Sequence, residues 1–278
     1  MVSRLRLLAL LVAVLAARAA PAETVTWMLG ELPPLVVTEG TLAGQGAGQI
    51  GFRMLSERLG QFSWRIEHAS ALRILYEIER RDGICSFGFA KLPEREGKMV
   101  FGIRPMVVPG FGVILREDRL PEFQRVLDRN GAVDLSLLGQ AEGMTGGYVR
   151  ARPHFDGVKR FIEAHPSSLV ADDAVKLFRQ LQARHIDFLF GLRDETNYFA
   201  ALLGQRDRFA ALPIAGTDQF GLAYMVCSNG PLGRKAMAAL DDYLADDRHW
   251  AEFMAPWQQW LAPGDYTAAL KSQTNPVR

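Results

Sequence analysis

The stretch from Gly83 to Pro105, GICSFGFAKLPEREGKMVFGIRP, places one arginine where it could hold an anion. Ile84, Cys85, Phe87 and Phe89, separated only by small residues, read as a strand buried on both faces, and Leu92-Pro93-Glu94-Arg95-Glu96-Gly97 breaks it. Met99 to Ile103 reads as a second, short strand. An open α/β sheet keeps its ligand beyond the carboxyl ends of its strands, which makes Arg95 a candidate anion clamp. The same residues also suit a solvated turn in which Glu94, Arg95, Glu96 and Lys98 pair among themselves.

Other residue types extend the list. Arg73 falls in the first turn of an expected helix capped by Ser70, where a cation opposes the helix dipole and calls for water or an anion. Glu142-Gly143-Met144-Thr145-Gly146-Gly147-Tyr148 reads as a glycine-rich turn after a strand, able to offer the amides around Thr145 and Gly146 to an anion at a helix start. It lacks the lysine and the glycine spacing of a phosphate or dinucleotide fingerprint. Ile186 to Gly191 is a second buried strand, followed by Arg193-Asp194-Glu195, and mirrors the first. Asp194 or Glu195 could meet a cationic group across a cleft, or could serve only the helix start ahead of Tyr198 and Phe199. His68, His154, His165, His185 and His249 show no metal-ligand spacing with one another or with the cysteines. Cys85 and Cys227 fit one disulfide or two buried thiols.

These residues need a frame. Strands are expected at Val25 to Leu29, Trp64 to His68, Leu169-Val170 and Phe220 to Cys227, and helices at about Gln49 to Leu59, Phe155 to Ala164, Ala174 to Gln182 and within Leu232 to Leu261. Glu117 to Asn130 carries Leu120, Phe123, Val126 and Leu127 at helical intervals. Trp250, Phe253, Trp257 and Trp260 read as core or lobe-packing residues. With 278 residues, 49% hydrophobic and 23% charged, the chain suits two lobes of one unit. Its 32 basic and 31 acidic residues are interspersed, so no basic stripe is offered to a nucleic acid. Arg4 and Arg6, the apolar run Leu7 to Ala17 and Ala20-Pro21-Ala22 have the form of a signal peptide over residues 1–22. No cysteine near that point supports a lipid anchor, so a periplasmic location is expected.

Taken together, the segments resemble the periplasmic solute-binding proteins of family 3, which serve polar amino-acid importers, and within it a poorly characterised branch. The likeness rests on Pro33-Pro34 followed by Gly44-Gln45-Gly46, the helix start at Arg73, Cys85, and Pro93-Glu94-Arg95 with Phe101-Gly102-Ile103-Arg104-Pro105. It implies an α/β, two-lobed type 2 periplasmic-binding fold, each lobe a mixed, mostly parallel sheet flanked by helices. Residues 23–108 and 220–278 would form one lobe and 109–219 the other, with crossing strands near Val107 to Leu115 and Ala215 to Ala223. It would also put Cys85 and Cys227 on neighbouring strands of one lobe, which favours their disulfide. By the same likeness Arg95 clamps a ligand carboxylate and Gly88 supplies a backbone contact. The chain departs from the pattern at Ala90, where a hydroxyl residue is usual, and at Leu192, where an acid holds the ligand ammonium. No aromatic pair stands near Leu32 or Ala69-Ser70. Those departures turn the expected ligand from a free α-amino acid toward a small anion or carboxylate held by Arg95, Arg73 and the amides of Thr145 to Gly147.

The function expected is capture of a small polar or anionic ligand between the lobes of a monomer, without cofactor, for a membrane permease or sensor. One alternative is an enzyme on the same scaffold, similar to the periplasmic cyclohexadienyl dehydratases, with Glu31, Asp194 or Glu195 as its acid or base. The other is an accessory protein that has lost its ligand.

Overall fold

Residues Val25 to Leu29 are all buried, the burial that a strand covered on both faces requires, and they lie in β1 (Glu23–Leu29). A computed structural model describes residues 22–38, 40–150, 155–172, 174–204, 208–218 and 220–261. Residues 1–21, where a signal peptide is expected, and the tail beyond Leu261 lie outside the described residues. The first sheet also contains β2 (Phe62–His68), β3 (Ile84–Phe89), β4 (Met99–Phe101), β5 (Met106–Pro109) and β11 (Phe220–Ser228), in the order β2-β1-β3-β11-β4, with β5 on the leading half of β11. The second holds β6 (Phe111–Arg116), β7 (Gly146–Val149), β8 (Leu169–Ala171), β9 (Phe188–Leu192) and β10 (Phe209–Pro213), in the order β10-β6-β9-β7-β8.

In each sheet one strand runs against all the others: β11 in the first and β6 in the second. These are the strands that enter from the opposite lobe. The chain passes from β5 into β6 through Gly110 and returns through β11, where Phe220 pairs with Pro109. Strands β6 and β11 therefore start at the crossing and run away from it. The carboxyl ends of β3 and β9 point toward it, since Phe89 pairs with Tyr224 and Leu192 with Phe111. The result is the expected two-lobed α/β architecture with mostly parallel sheets.

Helices flank both sheets: α1 (Ala47–Arg58), α2 (Ala71–Arg80), α3 (Leu120–Phe123), α4 (Leu135–Gln140), α5 (Asp156–Ala164), α6 (Ala174–Gln182), α7 (Glu195–Leu202), α8 (Pro231–Leu244) and α9 (Asp247–Met254). Side-chain oxygens start several of them: Ser70 accepts from the Arg73 amide, Asp134 from Ser136 and Leu137, and Asp246 from Arg248. Trp27 anchors the first core, its ring centroid 4.9 Å from Phe52, 6.0 Å from Trp64 and 6.1 Å from Phe87. Phe123, Phe161, Phe188 and Phe190 pack together in the second.

Cys85 and Cys227 are register partners on β3 and β11 and form a disulfide, with Cα atoms 4.0 Å apart. The thiol alternative is thereby set aside.

Two local expectations need correction. The turn at Thr145 does not follow a strand and open a helix. It precedes β7, and Gly146 and Gly147 lie within that strand. A Cβ on Gly146 would come 2.5 Å from the Phe188 ring, and one on Gly147 2.8 Å from Leu177, so close packing explains both glycines. The segment from Glu117 is not one helix but α3 between two short 3₁₀ turns, Glu117–Arg119 and Gln124–Val126. Asp128 then ends the run by accepting from the amides of Asn130 and Ala132 at 2.8 and 2.9 Å, with Gly131 at φ +76°.

Candidate functional site

The carboxyl ends of β1 and β3 lie side by side at the edge of the first sheet nearest the crossing strands. β1 leads to Gly30, whose missing side chain lets the backbone approach the Ala69 carbonyl; a Cβ there would lie 3.2 Å from it. The chain then folds over this edge. Leu32 and Val36 exchange backbone hydrogen bonds of 3.0 and 2.9 Å around a cis Pro33-Pro34 peptide. The carbonyls of Pro34 and Leu35 accept from the first amides of α1, those of Ala47 and Gly48, both at 2.9 Å. Gln49 reaches back to the amides of Gly46 and Val37. Thus the Pro-Pro turn and the Gly-Gln-Gly segment form one knot.

Glu31 sits in that knot. Its carboxylate accepts the Thr38 amide at 2.7 Å and the Thr38 hydroxyl, which gives it a structural task. Gly88 lies in β3 with φ +86°, a conformation glycine adopts without strain, and Leu32 covers it: a Cβ there would be 3.2 Å from Leu32 Cδ2. Just beyond, Arg95 closes a 3₁₀ turn, Pro93–Arg95. Its Nη1 donates to the Ala90 carbonyl at 2.8 Å, and its guanidinium lies over the Phe89 ring at 5.5 Å. Among the described residues it pairs with neither Glu94 nor Glu96, and Lys98 turns instead to Glu79 at 3.7 Å. The half-buried Arg95 side chain is therefore held at the end of β3, with donors left over for a carboxylate.

Arg73 stands on the same edge at the start of α2, but it is directed along the helix to Glu77 at 3.6 Å and is largely exposed. On the second sheet, Asp194 and Glu195 follow the carboxyl end of β9, and both are buried. Glu195 accepts from the Leu192 amide at 3.3 Å. Between them and the crossing, the Arg193 amide donates to the Gly110 carbonyl at 3.4 Å, and the Arg193 guanidinium lies over Phe220 at 5.6 Å. Thr145 and Gly146 are elsewhere. Gly146 begins β7 and Thr145 just precedes it, beside the start of β9, where the Thr145 amide donates to Asp187 at 2.7 Å. That is the end of the second sheet away from Leu192 and Asp194. The structure thus brings Arg95, Gly88 and Glu31 together on one edge, places Asp194 on the edge opposite, and leaves Thr145 and Gly146 apart from both.

One participant carried a weak signal. Tyr198, on α7, is buried, and burial together with the negative charge of Glu31 raises its phenol pKa. Sequence marked it only as an aromatic behind two acids. A separate cavity of about 390 Å³ opens at the far end of the first sheet, lined by Arg80, Arg81, Asp82, Lys98, Ser228 and Asn229. Its Asp82 is engaged by the amides of Leu232 and Gly233 at the start of α8, so that carboxylate serves the helix.

Comparison with known proteins bears on the fold. No family model matches the sequence, and no curated protein matches it. Among solved structures, the chain is similar to the GluR0 ligand-binding core in complex with L-glutamate, with TM-score 0.60, 15% identity, and 88% of this chain and 100% of that chain covered. It is also similar to an ancestral cationic amino acid solute binding protein, with TM-score 0.63, 13% identity, and 86% and 96% covered. A third likeness is to a substrate-binding protein of an ABC uptake transporter from Streptococcus pneumoniae with bound histidine, with TM-score 0.59, 13% identity, and 86% and 92% covered. The chain has the two-lobed fold of these binding domains, and no helix among its described residues is long and apolar enough to cross a membrane.

Proposed function

We propose that the protein is an exported solute-binding protein of the family 3 type that captures a small polar or anionic ligand, amino-acid-like or a simple carboxylate, between its lobes. In this reading residues 1–22 are a signal peptide that is removed. Residues 23–108 and 220–278 form one lobe and 109–219 the other. The monomer delivers its ligand to an importer's permease or to a sensor. The observation that carries the reading is Arg95, fixed by the Ala90 carbonyl at the carboxyl end of β3, the strand in which Gly88 adopts φ +86°. Arg95 lies just past the carboxyl end of β3, the side on which open α/β sheets hold ligands. Asp194 and Glu195 follow β9 on the opposite edge, where acidic groups favour a ligand that also carries a donor or a positive group.

The test is thermal melting of the mature protein against amino acids, organic acids and small anions, for wild type and Arg95→Ala. A ligand that binds only the native state raises the melting midpoint by mass action. A shift confined to wild type supports the proposal. A shift that survives Arg95→Ala keeps binding and removes this site, and no shift with any compound favours an accessory role. The burial of Asp194 and Glu195 beside the crossing strands also suits an enzyme on this scaffold. Conversion of a stabilising compound, read by mass spectrometry and lost in Glu195→Gln, would establish that second reading.

A further inference from the structure

The last described turn of the chain joins the two lobes. Ala255–Trp260 follows α9 as a 3₁₀ turn and packs on α9 and α1, which belong to the first lobe. Its other side meets α7 of the second. Asn197 Nδ2 donates to the Trp260 carbonyl at 2.9 Å, and Tyr198 stands edge-on to the Trp260 indole with ring centroids 5.6 Å apart. Tyr198 is only 2% exposed and Trp260 6%. The knot that carries Glu31 closes on the same helix: a Cβ on Gly40 would lie 3.9 Å from Leu202 Cδ1, and the Glu31 charge acts on the Tyr198 phenol. The apolar core accordingly runs without a break from Trp257, Trp260 and Leu261 into Tyr198, Phe199 and Ala200.

This seam is made of the chain's own side chains and main chain. It engages α7, the helix that begins at Asp194 and Glu195, so it fixes the second lobe's edge relative to the first. It is also less well satisfied than an ordinary core: the indole N–H of Trp260 is buried without a hydrogen-bond partner among the described residues. A contact that is apolar, buried and imperfectly hydrogen-bonded can release as a unit, as interfaces between hinged lobes do.

We propose that the Ala255–Trp260 turn is a latch that holds the two lobes together in the absence of ligand. The resting protein is then closed, and opening requires the Trp260 indole and carbonyl to leave Tyr198 and Asn197. Ligand affinity is reduced by the fraction of molecules that are unlatched, so loosening the latch raises apparent affinity for any ligand that must enter between the lobes.

The experiment is small-angle X-ray scattering of the ligand-free mature protein, comparing wild type with Asn197→Ala, Tyr198→Ala and Trp260→Ala. Far-UV circular dichroism checks that each variant is folded. The expected result is a larger radius of gyration in Tyr198→Ala and Trp260→Ala, with a smaller shift in the same direction for Asn197→Ala. Asn197→Ala removes only the hydrogen bond, so it remains informative if the aromatic truncations fail to fold. An unchanged radius of gyration in every folded variant overturns the latch, as does a wild-type scattering curve that fits separated lobes. The readout involves no ligand, so it stands or falls independently of whether Arg95 clamps an anion.

Discussion

Cys85 and Cys227 face each other across antiparallel strands and are bonded, although 142 residues separate them in the chain. Between them lie the second lobe and both crossings, so the bond closes a very long loop. In the chain-entropy account, such a cross-link stabilises by restricting the unfolded state, by about 4–5 kcal/mol for a loop of this order. Cys85→Ser/Cys227→Ser is therefore expected to lose a few kcal/mol, read as a lower denaturant midpoint than the oxidised wild type. Equal midpoints would show that the reduced chain is already restrained.

Asp82 ties the same two parts of the chain a short distance away. Its carboxylate accepts from Gly83 at 2.8 Å, Leu232 at 3.0 Å and Gly233 at 2.9 Å, and from the Ser228 hydroxyl at 3.2 Å. Burial alone would raise its pKa, but these donors outweigh it and hold the group below its ordinary 3.8. A depressed carboxylate contributes stability that is present above the unfolded value and is lost as pH falls through the folded one. Asp82→Asn should cost about 1 kcal/mol at neutral pH, as loss of a helix cap does. It should also flatten the decline of stability on acidification below about pH 4. Parallel urea titrations at pH 7 and pH 3 measure both effects, and an unchanged difference between the two pH values would remove Asp82 from the account.

How much of this was legible in the sequence depended on how local the cause was. β3 and the break at Pro93 follow from neighbouring residues, so the strand, the turn and the position of Arg95 could be read directly. Ser70 was legible as a cap for the same reason, whereas Cys85 and Cys227, 142 residues apart, left a disulfide or two thiols open until the family likeness favoured the pair. Gly146 was misread because its cause is the Phe188 ring, far along the chain and invisible to periodicity. Gly48 is alike, with a Cβ position 2.1 Å from the Phe87 ring. The aromatics near the carboxyl terminus read as core or lobe-packing residues, and Trp260 is both, yet its partner Asn197, 63 residues away, left no pattern. Arg73 could be placed in the first turn of its helix, but its turn toward Glu77 could not be foreseen.

Gly88→Ala is expected to be destabilising by about 1–2 kcal/mol, because an L side chain at φ +86° meets its own backbone. Gly97 offers the control. It has φ +74° and nothing within 4 Å of an added Cβ, so Gly97→Ala carries the backbone cost alone. Any excess in Gly88→Ala reports the contact with Leu32, and the same variant should weaken ligand-dependent melting shifts while Gly97→Ala leaves them intact. Equal losses of stability and of ligand response in the two variants would deny Gly88 a special place.

Gly146 separates structure from binding at the other end of the second sheet. Gly146→Ala would drive a methyl group to within 2.5 Å of the Phe188 ring, which packs against Phe123, Phe161 and Phe190 and has little room to yield. Overpacking of this kind costs about 1–3 kcal/mol. Because Gly146 begins β7 beside the amino end of β9, while Asp194 lies past its carboxyl end, ligand affinity measured well below the melting temperature should be unchanged. A variant that keeps its stability but loses ligand would bring the Thr145-Gly146 amides back as an anion site. Lower stability with intact affinity would leave Arg95 and the edge it occupies as the centre of recognition.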